Sequence, residues 1–520
     1  MFKKIMRVVL SKTFAFALLA LLQIGFFVAL VMLFANTGAL AYTLITIITV
    51  LVLVTILEQD DLNPAYKLMW TLIVVIMPVT GTLFYLLWGH RHVPARQQRQ
   101  FDEIEKRAQL AMRQQKHILP ALKTSDQRLF HTAQYLLHYS GSPVYTNTAV
   151  SYYPIGEVFF PPFIKALEAA ERFIFMEYFI YEEGYMWNTV LDILCRKAAE
   201  GVDVRVIYDG FGSLFTLPAN YDKTLRAKGI QCYAFSPLAL TAHVSDYAML
   251  NHRDHRKITA IDGTIAFSGG LNIADEYINV HQRFGEWKDT AFKLEGDAAF
   301  SLTVTFLKAW DFVAKTQTDY EAYRPPAQPL PHPNTMLENG LVQPYSDTPL
   351  DGENISENAY LKVITGARDY VYISTPYLIL DNEMMTALTL AAKSGIDVRL
   401  LTPAIPDKPT VFILTQSYYP TLLRAGVRIY EFTPGFNHAK MYVSDDKVAI
   451  VGSANMDYRS LYLHFENCTC FYGGEIVNEA KNDMLNSFAR AREISLEDTR
   501  HISLWKRLVR IVARFLAPML

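Results

Sequence analysis

The 520-residue sequence predicts an α/β protein made of two similar halves packed around one shared active site, preceded by N-terminal transmembrane helices. Three observations carry this: a histidine-lysine-aspartate pattern that occurs twice, a repeat of helix, glycine and apolar strand around each copy, and apolar runs before residue 90.

The runs come first in the chain. Apolar residues make up 51% of it and the mean hydropathy is +0.11, high for a soluble enzyme. The excess lies in residues 14–34, 40–57 and 68–88. Each run approaches or reaches the roughly 20 residues that span a bilayer. The first is too long for a signal peptide and lacks a small-residue cleavage site. A membrane region of two to three hydrophobic helices is therefore expected over 1–92, with a helical connector over 93–145. Lys3, Lys4, Arg7 and Lys12 place the N-terminus in the cytoplasm, and Arg91, Arg96 and Arg99 favour the same side after the third run. Three full crossings cannot satisfy both. Either one run is re-entrant, with Pro78 and Gly81 breaking the third, or the catalytic part lies outside; the cytoplasmic face is the expectation.

Two halves follow, at 146–323 and 346–495, joined by a proline-rich linker at 324–345. Phe163-Ile-Lys-Ala-Leu-Glu-Ala-Ala-Glu-Arg-Phe-Ile-Phe parallels Tyr360-Leu-Lys-Val-Ile-Thr-Gly-Ala-Arg-Asp-Tyr-Val-Tyr, each an amphipathic helix feeding a strand. Gly201 and Gly395 then precede matching apolar strands, the pattern of an α/β layer with a mostly parallel sheet. The first half carries an extra apolar stretch, 236–250, that either faces lipid or packs between domains.

The repeated pattern is His255-Arg-Lys257 with Asp262, and His438-Ala-Lys440 with Asp445, both H-x-K-x4-D. Each runs into a glycine turn ending in asparagine: Gly269-Gly270-Leu271-Asn272 and Gly452-Ser453-Ala454-Asn455. Two such matches with matching tails fall below roughly one in a thousand by chance, so the duplication is a real signal. The segments read as hairpins with tight Asp-Gly and Asp-Asp turns. Side chains two apart on a strand share a face, so each His and its Lys point into one space. The six motif residues form the candidate catalytic set. Within it Asp262 and Asp445 lie well over about 10 Å from their histidines, which assigns them to turn-holding and charge balance.

Two imidazoles can divide the roles of nucleophile and general acid. Lys257, Lys440, Asn272, Asn455 and the Ser453 hydroxyl are donors suited to phosphate oxygens. The combination points to phosphoryl transfer through a covalent phosphohistidine.

These residues resemble the phospholipase D superfamily, whose duplicated motif has this spacing and tail. The resemblance implies an acidic residue after each motif that orients a histidine, and Asp289 and Glu466 match. Gly270, where the second copy has Ser453, departs from the family's Gly-Ser. With Glu177-Tyr-Phe-Ile, Tyr208-Asp-Gly-Phe-Gly-Ser and Asn455-Met-Asp-Tyr-Arg-Ser-Leu, the likeness extends to bacterial cardiolipin synthases of the phospholipase D type. It implies that one phosphatidylglycerol donates its phosphatidyl group to another with release of glycerol, His255 acting as nucleophile and His438 as general acid.

No phosphate-binding G-x-x-x-x-G-K-[ST] loop is present, and no cofactor or metal is expected. Cys195, Cys232, Cys468 and Cys470 show neither metal spacing nor a disulfide framework. The alternatives are a phospholipase D-type hydrolase, another phosphatidyltransferase, a superfamily nuclease and a scaffold with a decayed site. Against the nuclease, 49 Lys and Arg face 51 Asp and Glu, which leaves no broad basic footprint for nucleic acid. The expected partner is an anionic phospholipid membrane. Residues 496–520 support it, with Lys506, Arg507, Arg510 and Arg514 opposite Trp505, Leu508, Ile511, Val512 and Phe515 at helical spacing. The other reading of that helix is one packed on the domain.

Overall fold

The computed structural model describes residues 38–59, 62–89, 95–237, 251–326, 340–500 and 502–519, with Leu21 and Gly25. They form two compact units. One holds the described residues up to Gly89 with Asn251 and Phe515–Met519, and the other holds the remainder.

In the first unit the helix Gly38–Glu58 covers the second apolar run, with side chains described from Tyr42 onward. Asn63 then caps the helix Pro64–Ile76, its side chain accepting the Ala65 N–H at 2.9 Å, and Pro64 supplies a pre-set φ at the first helical position. Proline disfavours helical geometry in the residue before it, and the helix stops at Met77, ahead of Pro78. The chain resumes as Thr80–Phe84 and a π-helical turn at Tyr85–Gly89. A Cβ on Gly81 would lie 2.5 Å from the Ile73 carbonyl oxygen, so only glycine permits this fold-back. The third apolar run is thus broken rather than continuous. Among the described residues no helix is long and apolar enough to cross a membrane. The run 14–34 lies outside the described residues apart from Leu21 and Gly25.

The second unit carries both halves of the repeat. In the first, β1 (Thr148–Tyr153), β2 (Phe173–Tyr178), β3 (Asp203–Asp209), β4 (Gln231–Phe235), β5 (Arg253–Asp254), β6 (Lys257–Ile261), β7 (Ile265–Gly269), β8 (Glu286–Lys288) and β9 (Ala291–Gly296) appear in turn. Seven of them form a sheet in the order β1-β9-β7-β6-β2-β3-β4. The second half supplies β10 (Leu341–Asp347), β11 (Tyr370–Ser374), β12 (Asp397–Pro403), β13 (Arg428–Phe432), β14 (Gly435–Asn437), β15 (Met441–Ser444), β16 (Val448–Gly452), β17 (His464–Tyr472) and β18 (Ala491–Ile494). Its sheet runs β10-β17-β16-β15-β11-β12-β13-β18.

The sheets are mixed rather than mostly parallel. Helical crossovers make β2-β3-β4 and β11-β12-β13 parallel, but the tight turns at Asp262 and Asp445 return the motif strands antiparallel. The two halves share a core in which Phe292, Leu294 and Leu302 meet Met441, Val443, Val451, Phe471 and Met484. Short strands also cross between them, β5 beside β17 and β14 beside β8, both parallel. These two pairings bring both histidines into one region. The C-terminal helix Leu504–Phe515 leaves Leu504, Trp505, Leu508, Ile511 and Val512 exposed, while Arg514 donates to the Ser417 carbonyl at 2.7 Å. Residues 238–250 and 327–339, parts of the apolar stretch and of the linker, lie outside the described residues.

Candidate active site

Each histidine is seated by backbone from the opposite half. His255 N donates to Phe465 O at 2.9 Å, and His438 N donates to Lys288 O at 2.7 Å. The approach to His255 is held further by Asp209, whose carboxylate accepts the N–H groups of Phe211, Gly212 and Asp254 at 2.9, 2.8 and 3.0 Å. Arg256, next to it, is paired with Glu177 at 2.8 Å and Asp254 at 2.9 Å.

The side chains repeat the exchange. His255 Nδ1 lies 2.9 and 3.0 Å from the two oxygens of Glu466, and His438 Nδ1 lies 2.6 Å from Asp289 Oδ2. The two carboxylates picked from sequence therefore each meet a histidine, but the histidine of the other half. With Nδ1 donating to a carboxylate, the ring nitrogen left for chemistry is Nε2 in both cases.

The lysines sit close by. Lys257 Nζ donates to His255 O at 2.5 Å; Lys440 Nζ donates to His438 O and lies 2.8 Å from His438 Nδ1. All four residues are buried. Burial, then the Lys257 and Lys440 ammonium charges, pushes the His255 proton affinity well below the usual 6.5. His438 is lowered in the same way by burial, Lys440 and Lys257. Each histidine thus feels the lysine of both halves, which makes this one electrostatic site rather than two. Burial also lowers Lys257 to about 7 and Lys440 to about 8, and raises Asp289 to about 6. An anionic phosphodiester placed here reverses that cost by pairing with the ammonium groups.

Asp262 and Asp445 hold turns. Asp262 accepts the N–H groups of Glu171, Arg172 and Phe173 at 2.9, 2.7 and 2.8 Å, where β2 begins. Asp445 accepts those of Arg368, Asp369 and Tyr370 at 2.9, 3.0 and 3.1 Å, where β11 begins. Both adopt positive φ, 54° and 55°, which aspartate tolerates better than most residues.

The proposed phosphate donors differ in their bonds. Asn272 accepts the Ile180 N–H at 3.1 Å and donates to the Tyr277 hydroxyl at 2.7 Å. Asn455 Oδ1 is buried without a hydrogen-bond partner among the described residues. Ser453 Oγ donates to Glu466 Oε2 at 2.5 Å, and so steadies the carboxylate that holds His255. Its counterpart Gly270 has a steric reason. A Cβ there would lie 2.1 Å from Asp289 Oδ1, the carboxylate that holds His438.

Sequence reasoning did not single out His464 and Trp287. Trp287 stands two residues before Asp289, with its ring centroid 5.5 Å from that of His438. His464 stands two residues before Glu466, 5.4 Å from His255. The signal lay in the period of two along a strand, which puts each on the same face as its carboxylate. The Phe179 ring lies 5.0 Å from that of His255, and Tyr277 and Phe436 both lie 5.6 Å from His438.

Two sheet-bearing halves that exchange carboxylates across a pair of histidines define a phospholipase D-like phosphotransfer protein. The family model described as "Cardiolipin synthase, PLD-like domain" matches residues 163–283 and 360–487, one segment in each half. A second, described as "Phospholipase D-nuclease N-terminal", matches 43–90. A cardiolipin synthase of Halalkalibacterium halodurans is 33% identical over 92% of this chain and 94% of its own. Cardiolipin synthase 1 of Bacillus anthracis is 32% identical over 97% of this chain and 99% of its own. The fold resembles the crystal structure of a phosphatidylserine synthase from Haemophilus influenzae, with a TM-score of 0.55, 14% identity, and coverage of 75% of this chain and 97% of that one. The chain belongs to the cardiolipin synthase family of phospholipase D-like proteins, and so to the phosphatidyltransferases.

Proposed function

We propose that this protein is a cardiolipin synthase that transfers the phosphatidyl group of one phosphatidylglycerol to a second, releasing glycerol, through a phosphohistidine. The reciprocal pairing of His255 with Glu466 and His438 with Asp289 is the observation that carries this reading. Neutral His255 attacks phosphorus through Nε2 while Glu466 stabilises the charge that develops on the ring. The N–P bond forms as the P–O bond to glycerol breaks; the bound phosphodiester offsets the Lys440 and Lys257 charges that lower His438, and the imidazolium so formed gives its Nε2 proton to the departing glycerol oxygen. The hydroxyl of the second phosphatidylglycerol then attacks phosphorus, returns a proton to His438 and frees His255. One phosphodiester is made for each one broken, so no nucleotide is consumed.

Lys257 and Lys440 neutralise the phosphate oxygens in this scheme, with Asn455 and the bound turn of Ser453 beside them. The apolar face of the helix Leu504–Phe515, with Lys506 and Arg507 beside it, supports binding to an anionic bilayer. The apolar runs before residue 90 support anchoring in it, with the catalytic unit on the cytoplasmic face.

The test is to incubate purified protein in micelles with phosphatidylglycerol alone and follow the lipids by mass spectrometry. Cardiolipin and glycerol are expected; phosphatidic acid alone identifies a hydrolase. Full activity in both H255A and H438A would refute the site.

A further inference from the structure

The His255 half of the site contains a side chain that its partner half lacks. His464 is buried, its ring lies beside that of His255, and its Nδ1 is 3.5 Å from Glu466 Oε1. At that outer limit neither ring nitrogen of His464 makes a hydrogen bond among the described residues. Packing does not explain an imidazole here, because the equivalent place beside His438 is filled by Trp287. A buried imidazole whose polar contact among the described residues is a 3.5 Å approach to Glu466 is poorly satisfied, and a ligand that uses its lone pair relieves that cost.

We propose that His255, Glu466 and His464 form an inhibitory binding site for a divalent transition metal of the zinc type. One donor atom from each of the three lies within 4.8 Å of the others. A tetrahedral Zn2+ with bonds of about 2.0–2.1 Å holds its ligands about 3.3 Å apart, so side-chain adjustment alone closes the site. Two imidazoles, one carboxylate and a water complete the coordination that this ion takes. The site is also one-sided: Trp287 offers no lone pair, and among the described residues His438 and Asp289 belong to no such three-ligand group.

The inhibitory consequence rests on the role proposed above for His255. Metal at Nδ1 takes the place of the proton shared with Glu466, and that proton moves to Nε2. The nitrogen that would attack phosphorus then has no lone pair, and Glu466 is turned from the ring to the ion. No electron transfer is involved and no bond of substrate changes.

Two measurements on the full chain in detergent test this separately. Titrated with CoCl2, the wild-type protein should develop the visible absorption of four- or five-coordinate Co2+, displaced by ZnCl2. H464N and E466Q should both lose it, with affinity falling more than about 100-fold, since a ligand outweighs the outer-shell partners worth about 10–100-fold. Wild-type protein that gives no such spectrum, or an H464N variant that keeps it, overturns the site irrespective of turnover. In the second measurement, lipid transfer by wild-type protein should stop with micromolar ZnCl2 and return with a chelator. A Co2+ spectrum that depends on His464, found together with transfer that Zn2+ leaves untouched, retains the metal site and overturns its inhibitory role. A metal-free wild-type protein that makes no cardiolipin overturns the proposed reaction and leaves the spectroscopic result standing.

Discussion

His438 and Asp289 belong to opposite halves of the chain, and their side chains meet at 2.6 Å. The mirrored pair, His255 and Glu466, meets at 2.9 Å. Each motif histidine therefore takes its carboxylate from the other half, and each variant at a carboxylate acts on the other half's chemistry.

The two pairs can be told apart by the leaving group. D289N should lower kcat about 10²–10⁴-fold by disturbing the His438 tautomer and imidazolium. A phosphatidyl donor carrying p-nitrophenol, which departs without a proton, should restore release of the phenol in D289N and H438A. E466Q should stay slow with both donors, since its defect is in attack by His255. Rescue of E466Q and not of D289N would reverse the two assignments.

The pH dependence follows from the free enzyme. Lys257 and Lys440 titrate at about 7 and about 8, and the ammonium form is the one that binds an anionic phosphate. Both are lowered bases, so raising pH removes their charge, and kcat/KM should fall through that window, beyond the earlier fall as His438 loses the proton it must donate. His255 must be neutral, and its proton affinity lies well below 6.5, so the acid limb should lie well below that value too. K257R and K440R keep the charge and should move the alkaline limb upward in any variant that retains turnover. A profile flat from pH 6 to 9, or an unmoved limb, would contradict the phosphate role.

Substitutions at the glycine turn should be unequal. In G270S the new Cβ falls where Asp289 Oδ1 now sits, and the carboxylate must move away from His438. Activity should drop about 10–100-fold with the fold retained. S453A removes a single donor to Glu466 and should cost less than G270S in the same assay.

D262A and D445A should destabilise rather than inactivate. Each strips a partner from three backbone N–H groups at the start of a strand and places alanine at positive φ. A loss of about 2–3 kcal/mol in denaturant unfolding is expected. Their kcat at low temperature should stay near that of the parent chain. A selective loss of kcat would assign them to the chemistry.

Membrane binding should respond to the C-terminal helix. Exchanging Trp505, Leu508 and Ile511 for serine removes exposed apolar surface and should weaken binding to phosphatidylglycerol vesicles. K506A and R507A should each cost about 1 kcal/mol on anionic vesicles, an effect that fades with added salt. Unchanged vesicle binding in all of them would leave the helix as a packing element.

Much of the site was legible because its chemistry is local. H-x-K places two side chains on one face of a strand, and Asp262 and Asp445 hold tight turns whose needs are set within a few residues. Asp289 and Glu466 could be named from the family resemblance, but not whose histidine they hold. That choice depends on β5 lying beside β17 and β14 beside β8, contacts between segments far apart in the chain. The same gap hid His464, whose neighbour His255 comes from the other half.

Residue types suited to phosphoryl transfer, their duplication, the strands and turns that carry them and the apolar character of the N-terminus can all be read along the chain. Those follow from short-range sterics and side-chain periodicity. The exchange of carboxylates and the mixed order of the sheets emerge only in the folded chain. These turn on which surfaces bury against each other, and burial is a property of distant segments brought together.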